Sequence, residues 1–144
     1  MITVERQALV PYSARTMYAL VDDVERYPEF LPWCSGTEVA LRNDRQTVAT
    51  IGVDFRGVQQ QFTTANTNWP GERIEIALVR GPFRAFRGEW RFTGLGEDGC
   101  KVELSLAYQL ANPVLARLAG PVFNHIANTL VDAFVRRADA LHPT

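Results

Sequence analysis

The sequence predicts an α+β fold, a seven-stranded curved antiparallel sheet wrapped around a long C-terminal helix. Between residues 37 and 110 apolar side chains recur at every second position in short runs, each closed by a turn signal. From 113 to 141 the pattern becomes apolar pairs at every fourth position: Val114/Leu115, Leu118/Ala119, Val122/Phe123, Ile126/Ala127, Leu130/Val131 and Phe134/Val135. This is a helix. A repeat of four exceeds 3.6, so the apolar stripe rotates by roughly 40° per pair and suits a curved, twisted partner better than a flat one.

Taken in order, residues 2–10 place Ile2, Val4, Ala8 and Val10 on one parity, a half-buried strand with Arg6 as its exception. Ser13 is a good N-cap, and Tyr12 and Met17 stand at the N′ and N4 positions of a hydrophobic staple. A helix from 14 to about 21 follows, with Tyr18, Leu20 and Val21 toward the core. Pro28 and Pro32 prevent a long continuation, leaving 24–33 as a short helical turn or loop rich in Tyr27, Phe30, Leu31 and Trp33.

The strand faces then read Thr37, Val39 and Leu41; Ala49, Ile51, Val53 and Phe55; Ile74, Ile76 and Leu78; Phe86, Trp90 and Phe92; Val102, Leu104, Leu106 and Tyr108. Asn43-Asp44, Arg56-Gly57, Pro70-Gly71, Gly81-Pro82 and 96–99 supply hairpin connections, so the pairing is sequential and antiparallel. Residues 59–68 form the least apolar strand, anchored near Val58, Phe62 and Ala65, and its register is weakly specified. Pro121 predicts a kink or a break after Gly120 in the final helix. Arg136, Arg137, Asp139 and His142 read as a solvated last turn, the arginines favourably set against the helix dipole.

A chain of 144 residues suits one domain, 1–144. A net charge of −1 gives no overall attraction to nucleic acid or anionic lipid, so no DNA partner is expected and any anionic partner needs a local patch. Cys34 and Cys100 lack the spacing of a zinc site or redox pair and read as reduced thiols. Glu5 and Arg6 interrupt any secretory signal, and no apolar run reaches the ~18 residues of a membrane span. The expected location is cytoplasmic, with contact at most at the surface of the inner membrane.

Catalytic signals are sparse. His125 and His142 are too few for a histidine metal site, and there is no nucleophile elbow, phosphate loop or dinucleotide fingerprint. No catalytic residue, metal or required cofactor is expected. Asp22, Asp23, Glu25 and Glu29 could act as paired carboxylates, but solvated helix-end charge outweighs that reading. His125, beside Asn124 and Asn128, reads as a half-buried amphipathic residue sooner than a cavity donor. Arg80, Arg84, Arg87 and Arg91, interleaved with Phe83, Phe86 and Trp90, have the composition of a surface for nucleic acid or lipid phosphate. Glu89 between Arg87 and Arg91 favours an ion-paired, solvated strand face instead. Large strand residues (Phe55, Trp90, Phe92, Leu104) oppose small helix residues (Ala116, Ala119, Gly120, Ala127), which is either interdigitated packing or one wall of an apolar tunnel.

Several motifs together carry a resemblance: Leu9-Val10-Pro11-Tyr12-Ser13, the run from Asp23 through Tyr27-Pro28-Glu29-Phe30-Leu31-Pro32-Trp33-Cys34, Gly81-Pro82-Phe83, Gly88-Glu89-Trp90-Arg91-Phe92 and Gly120-Pro121-Val122-Phe123. Across nearly the whole chain these are similar to the coenzyme Q-binding START-like family of the helix-grip superfamily. The resemblance implies a helix-grip (START-like) fold and non-enzymatic binding of ubiquinone or a related polyprenyl lipid, supporting respiration. Bacterial members are also named ribosome-association toxins, which implies, as an alternative, binding to the large ribosomal subunit and a block of subunit joining. The expected ligand-contact residues are Trp33, Phe83, Trp90 and Phe92, with Phe123, Ala127 and Leu130 closing the helix side. Nothing in these residues separates ubiquinone from menaquinone or another isoprenoid.

Overall fold

The turn chemistry of the sequence sets the order of the sheet. A computed structural model describes residues 1–142, so Pro143 and Thr144, the end of the expected 1–144 domain, lie outside the described residues. Within them the strands are β1 (Ile2–Val10), β2 (Cys34–Arg42), β3 (Gln46–Phe55), β4 (Val58–Trp69), β5 (Arg73–Arg80), β6 (Phe83–Gly94) and β7 (Cys100–Leu110). From β2 to β7 each strand pairs antiparallel with the next, and β1 closes the far edge against β7. At the β3–β4 hairpin Arg56 and Gly57 have φ of 51° and 82°, the two positive values that a tight right-twisting hairpin requires.

Curvature comes from local register shifts. The ladder slips between Cys34 and Gly36, Val39 and Leu41, Thr63 and Thr64, and Phe83 and Ala85. Each extra residue bends its strand and increases its twist. The last of these shifts also turns Phe83 and Phe86, which differ in parity, toward the same concave side. β4 runs the full twelve residues from Val58 to Trp69, its register held by apolar and threonine pairs such as Ile51 with Phe62 and Thr50 with Thr63.

Helix α1 (Ala14–Asp22) starts where expected, with Ser13 Oγ accepting a hydrogen bond from the Thr16 N–H at 3.1 Å. Met17, Tyr18 and Val21 are buried, while Leu20 is only half-buried. A 3-10 helix, Val24–Glu29, follows and packs against the start of the sheet. Helix α2 (Pro113–Leu141) is continuous for 29 residues, so the break expected at Pro121 is absent. Pro121 and Arg117, whose carbonyl loses its donor, are both exposed, which leaves that carbonyl free to take solvent.

The burial of α2 corrects three further expectations. Val114 and Leu118 are 69% and 67% exposed, because they lie on the outer face of the helix while their neighbours Leu115 and Ala119 pack on the core. Ala116 faces solvent and Gly120 is half-buried, so only Ala119 and Ala127 of the four small residues meet the core. The last turn is not simply solvated: Arg137 donates to Glu29 at 2.8 Å and covers the Phe30 ring, and Asp139 accepts from the Tyr12 hydroxyl. Leu41 and Ile2, near strand ends, are also exposed. Arg6, the parity exception, reaches across to Asn128 of α2. None of the described helices is long and apolar enough to cross a membrane.

Candidate functional site

Between the concave face of the sheet and α2 lies a cavity of about 100 Å3. At roughly 10–15 Å3 per water-sized group it has room for on the order of seven to ten heavy atoms, which is one or two isoprene units or a single substituted ring. Its walls come from β3 to β7, α2, the 3-10 helix and the end of α1. The strands supply this lining because their alternate residues all point inward, and α2 supplies it because its rotating stripe follows the curve of the sheet.

Six of the seven residues expected to contact a ligand line this space: Trp33, Phe83, Trp90, Phe123, Ala127 and Leu130. Phe92 does not. Its ring stacks on Trp90 with centroids 6.2 Å apart and meets Tyr18 of α1 edge-on at 5.7 Å. Parity put Phe92 on the correct face, but α1 roofs that end of β6, so Phe92 fills core there. Phe55, also expected inward, is half-buried and stacks on His125 at 5.5 Å.

Two aromatic clusters stand in the cavity wall. Phe62, Phe83, Phe86 and Phe123 form one, with Phe83 and Phe123 centroids 5.0 Å apart. Tyr27, Trp90 and Phe134 form the other, the Trp90–Phe134 pair edge-on at 5.3 Å. Two wall hydroxyls are already engaged. Tyr27 donates to the Val21 carbonyl, and Tyr108 donates to Asn124 Oδ1 at 2.7 Å. Burial pushes both phenols above their ordinary range, so both stay neutral donors.

Sequence reasoning missed Thr64 and Asn66 of β4, the polar residues of the lining besides the tyrosines and tryptophans. Their signal was available: they share parity with Phe62, already an anchor of that strand. The weak apolar content of residues 59–68 reflects this polar stretch of wall.

The other candidate chemistry resolves into structure. Arg42 bridges Asp22 and Glu25, and Arg26 bridges Asp23 and Glu29, so the acidic group is an ion-paired surface. Burial raises the Asp22 carboxyl against the opposing pull of Arg42, and the Arg137 hydrogen bond lowers that of Glu29. Among the described residues the buried polar ones are Thr47, Thr63, Thr64 and Asn68, with no carboxylate in that set. Cys34 and Cys100 are buried free thiols, and burial raises both. Glu89 pairs with Arg91 along the strand, not across it, while Arg80, Arg84 and Arg87 make no ion pair among the described residues.

Residues 10–135 match the family model described as polyketide cyclase / dehydrase and lipid transport. The chain is 45% identical over 139 residues to ribosome association toxin RatA of Pseudomonas aeruginosa, covering 96% of each protein. It is 25% identical over 135 residues to the mitochondrial coenzyme Q-binding protein COQ10 homolog B of Xenopus laevis, covering 91% of this chain and 55% of that one. A solved START superfamily protein from Mycobacterium smegmatis shares the fold with a TM-score of 0.76 at 25% identity, covering 97% of this chain and 99% of the other. The arrangement is the START-like helix-grip fold.

Proposed function

The chain belongs to the polyketide cyclase/dehydrase and lipid transport family, and from that premise we propose that it is a binding protein of the ribosome-association toxin type. The similarity to RatA across 96% of both chains carries this reading. Sequence alone ranks quinone binding first; the closeness of this relative reverses the order. The exposed Arg84 and Arg87, unpaired among the described residues, supply the local cationic patch that a chain of net charge −1 needs to meet an RNA-rich particle. The proposed partner is the large ribosomal subunit and the proposed effect a block of subunit joining.

Co-sedimentation with purified large subunits tests this. The parent protein should pellet with the particle and be released by salt, and Arg84→Glu with Arg87→Glu should weaken pelleting by on the order of tenfold or more. A parent that stays in the supernatant at low salt refutes the ribosome reading.

A second reading rests on the cavity. Its apolar walls and its size suit one or two isoprene units or the ring of a polyprenyl quinone, in keeping with the coenzyme Q-binding relative. A full polyprenyl tail exceeds the cavity of about 100 Å3, so it would need α2 to part from the sheet or the tail to remain outside. Mass spectrometry of solvent extracts from gently purified protein tests this reading, which fails if no isoprenoid is carried or taken up. Neither reading calls for an acid–base pair.

A further inference from the structure

We propose that Asn66 forms a hydrogen-bonding subsite in the cavity wall, selecting a compact apolar ligand that carries a hydroxyl donor. The proposal rests on the apolar-ligand reading of the cavity and specifies its ligand class. Among the described residues, the buried side-chain oxygens without a hydrogen-bond partner are Asn66 Oδ1 and Asn68 Oδ1. The Asn68 amide is anchored on its other side, donating from Nδ2 to Thr47 Oγ1 at 3.0 Å, and does not line the cavity. Asn66 does line it, two residues from Thr64 on the same strand face.

A buried carbonyl oxygen without a donor is costly, and native proteins seldom keep one without a use. The neighbours of Asn66 in the ladder do not satisfy it: Ile76 on β5 is apolar, and Thr47 on β3, whose Oγ1 accepts from Asn68, makes no bond to Asn66 Oδ1. The Tyr27 and Tyr108 hydroxyls in the same wall already donate elsewhere. A ligand hydroxyl delivered into the void is the donor that completes Asn66. The oxygen has almost no accessible surface, so its desolvation precedes binding, and the ligand hydroxyl reaches it by turning the amide slightly toward the void.

The test uses a matched pair sized for the void, 4-ethylphenol and ethylbenzene, titrated calorimetrically into the parent, Asn66→Leu and Asn66→Val. Leucine is close to asparagine in size, and valine suits a strand, so at least one variant is expected to fold. Both substitutions should weaken 4-ethylphenol by on the order of tenfold while leaving ethylbenzene within about threefold. Unchanged 4-ethylphenol affinity in a folded variant, or an equal loss for both probes, overturns the subsite and leaves the apolar cavity standing. Failure of both probes to bind the parent overturns the cavity reading, and the subsite with it.

Discussion

Replacing Ala127 by leucine adds three carbons at a position that is 3% exposed and faces the void between α2 and the sheet. The void has room for on the order of seven to ten such groups, so the new side chain enters empty space. Three buried carbons contribute about 2.4 kcal/mol at ~0.8 each, and fixing the leucine rotamer offsets ~0.5–1 of that. The net gain is about 1.5 kcal/mol. For 144 residues the unfolding entropy is roughly 0.3 kcal/mol/K, so the melting temperature should rise by about 5 °C. Thermal unfolding followed by circular dichroism measures this directly. A closed-packed centre predicts the opposite sign, a loss of about 1–3 kcal/mol from overpacking. A fall in melting temperature for Ala127→Leu therefore refutes the reasoning, because it means that no usable space lies beside residue 127. The same substitution should weaken 4-ethylphenol binding, since it removes about a third of the available room.

Gly81→Ala should destabilise the protein by about 1–3 kcal/mol in urea unfolding. Its added Cβ would stand 2.6 Å from Phe62 Cβ and 3.2 Å from Phe62 Cα, where a backbone atom cannot swing aside. Glu29→Gln should lower stability at pH 7, and the gap to the parent should close in acid. The Glu29 carboxyl is held below its ordinary 4.5, chiefly by the Arg137 hydrogen bond. A depressed carboxylate stabilises the folded state above the unfolded pKa and ceases to do so as pH falls through the folded one. Denaturation midpoints from pH 3 to 7 check this, and a gap independent of pH would show that the ion pair does not act through the charge of Glu29.

The periodicities of the sequence were enough for the sheet and the helix. Alternation and turn residues specified seven strands and the sequential order of β2 to β7, since a period of two leaves only one way to bury a face. The closure of β1 against β7 is a long-range pairing that only the tertiary structure shows. The rotating stripe of α2 anticipated a curved partner, and Ser13 fixed where α1 begins. Trp90 was legible as lining from its inward strand parity, and Phe123, Ala127 and Leu130 from the apolar stripe of the helix. Trp33, just before β2, and Phe83, off the parity of Trp90, were expected there by their place in the resembling motifs.

What parity cannot say is how far along a strand the open space extends. Phe92 shares a face with Trp90, yet α1 covers it, and that packing depends on the path of residues 11–33 over the sheet. The register shift at Phe83 and the exposure of Val114 and Leu118 are likewise long-range outcomes, set by sheet curvature and by which side of α2 the sheet covers. The role of Asn66 needed the tertiary structure most. In the sequence it is one polar residue in a polar strand; only when the fold removes water from its oxygen and brings no donor to it does it become a place for a ligand.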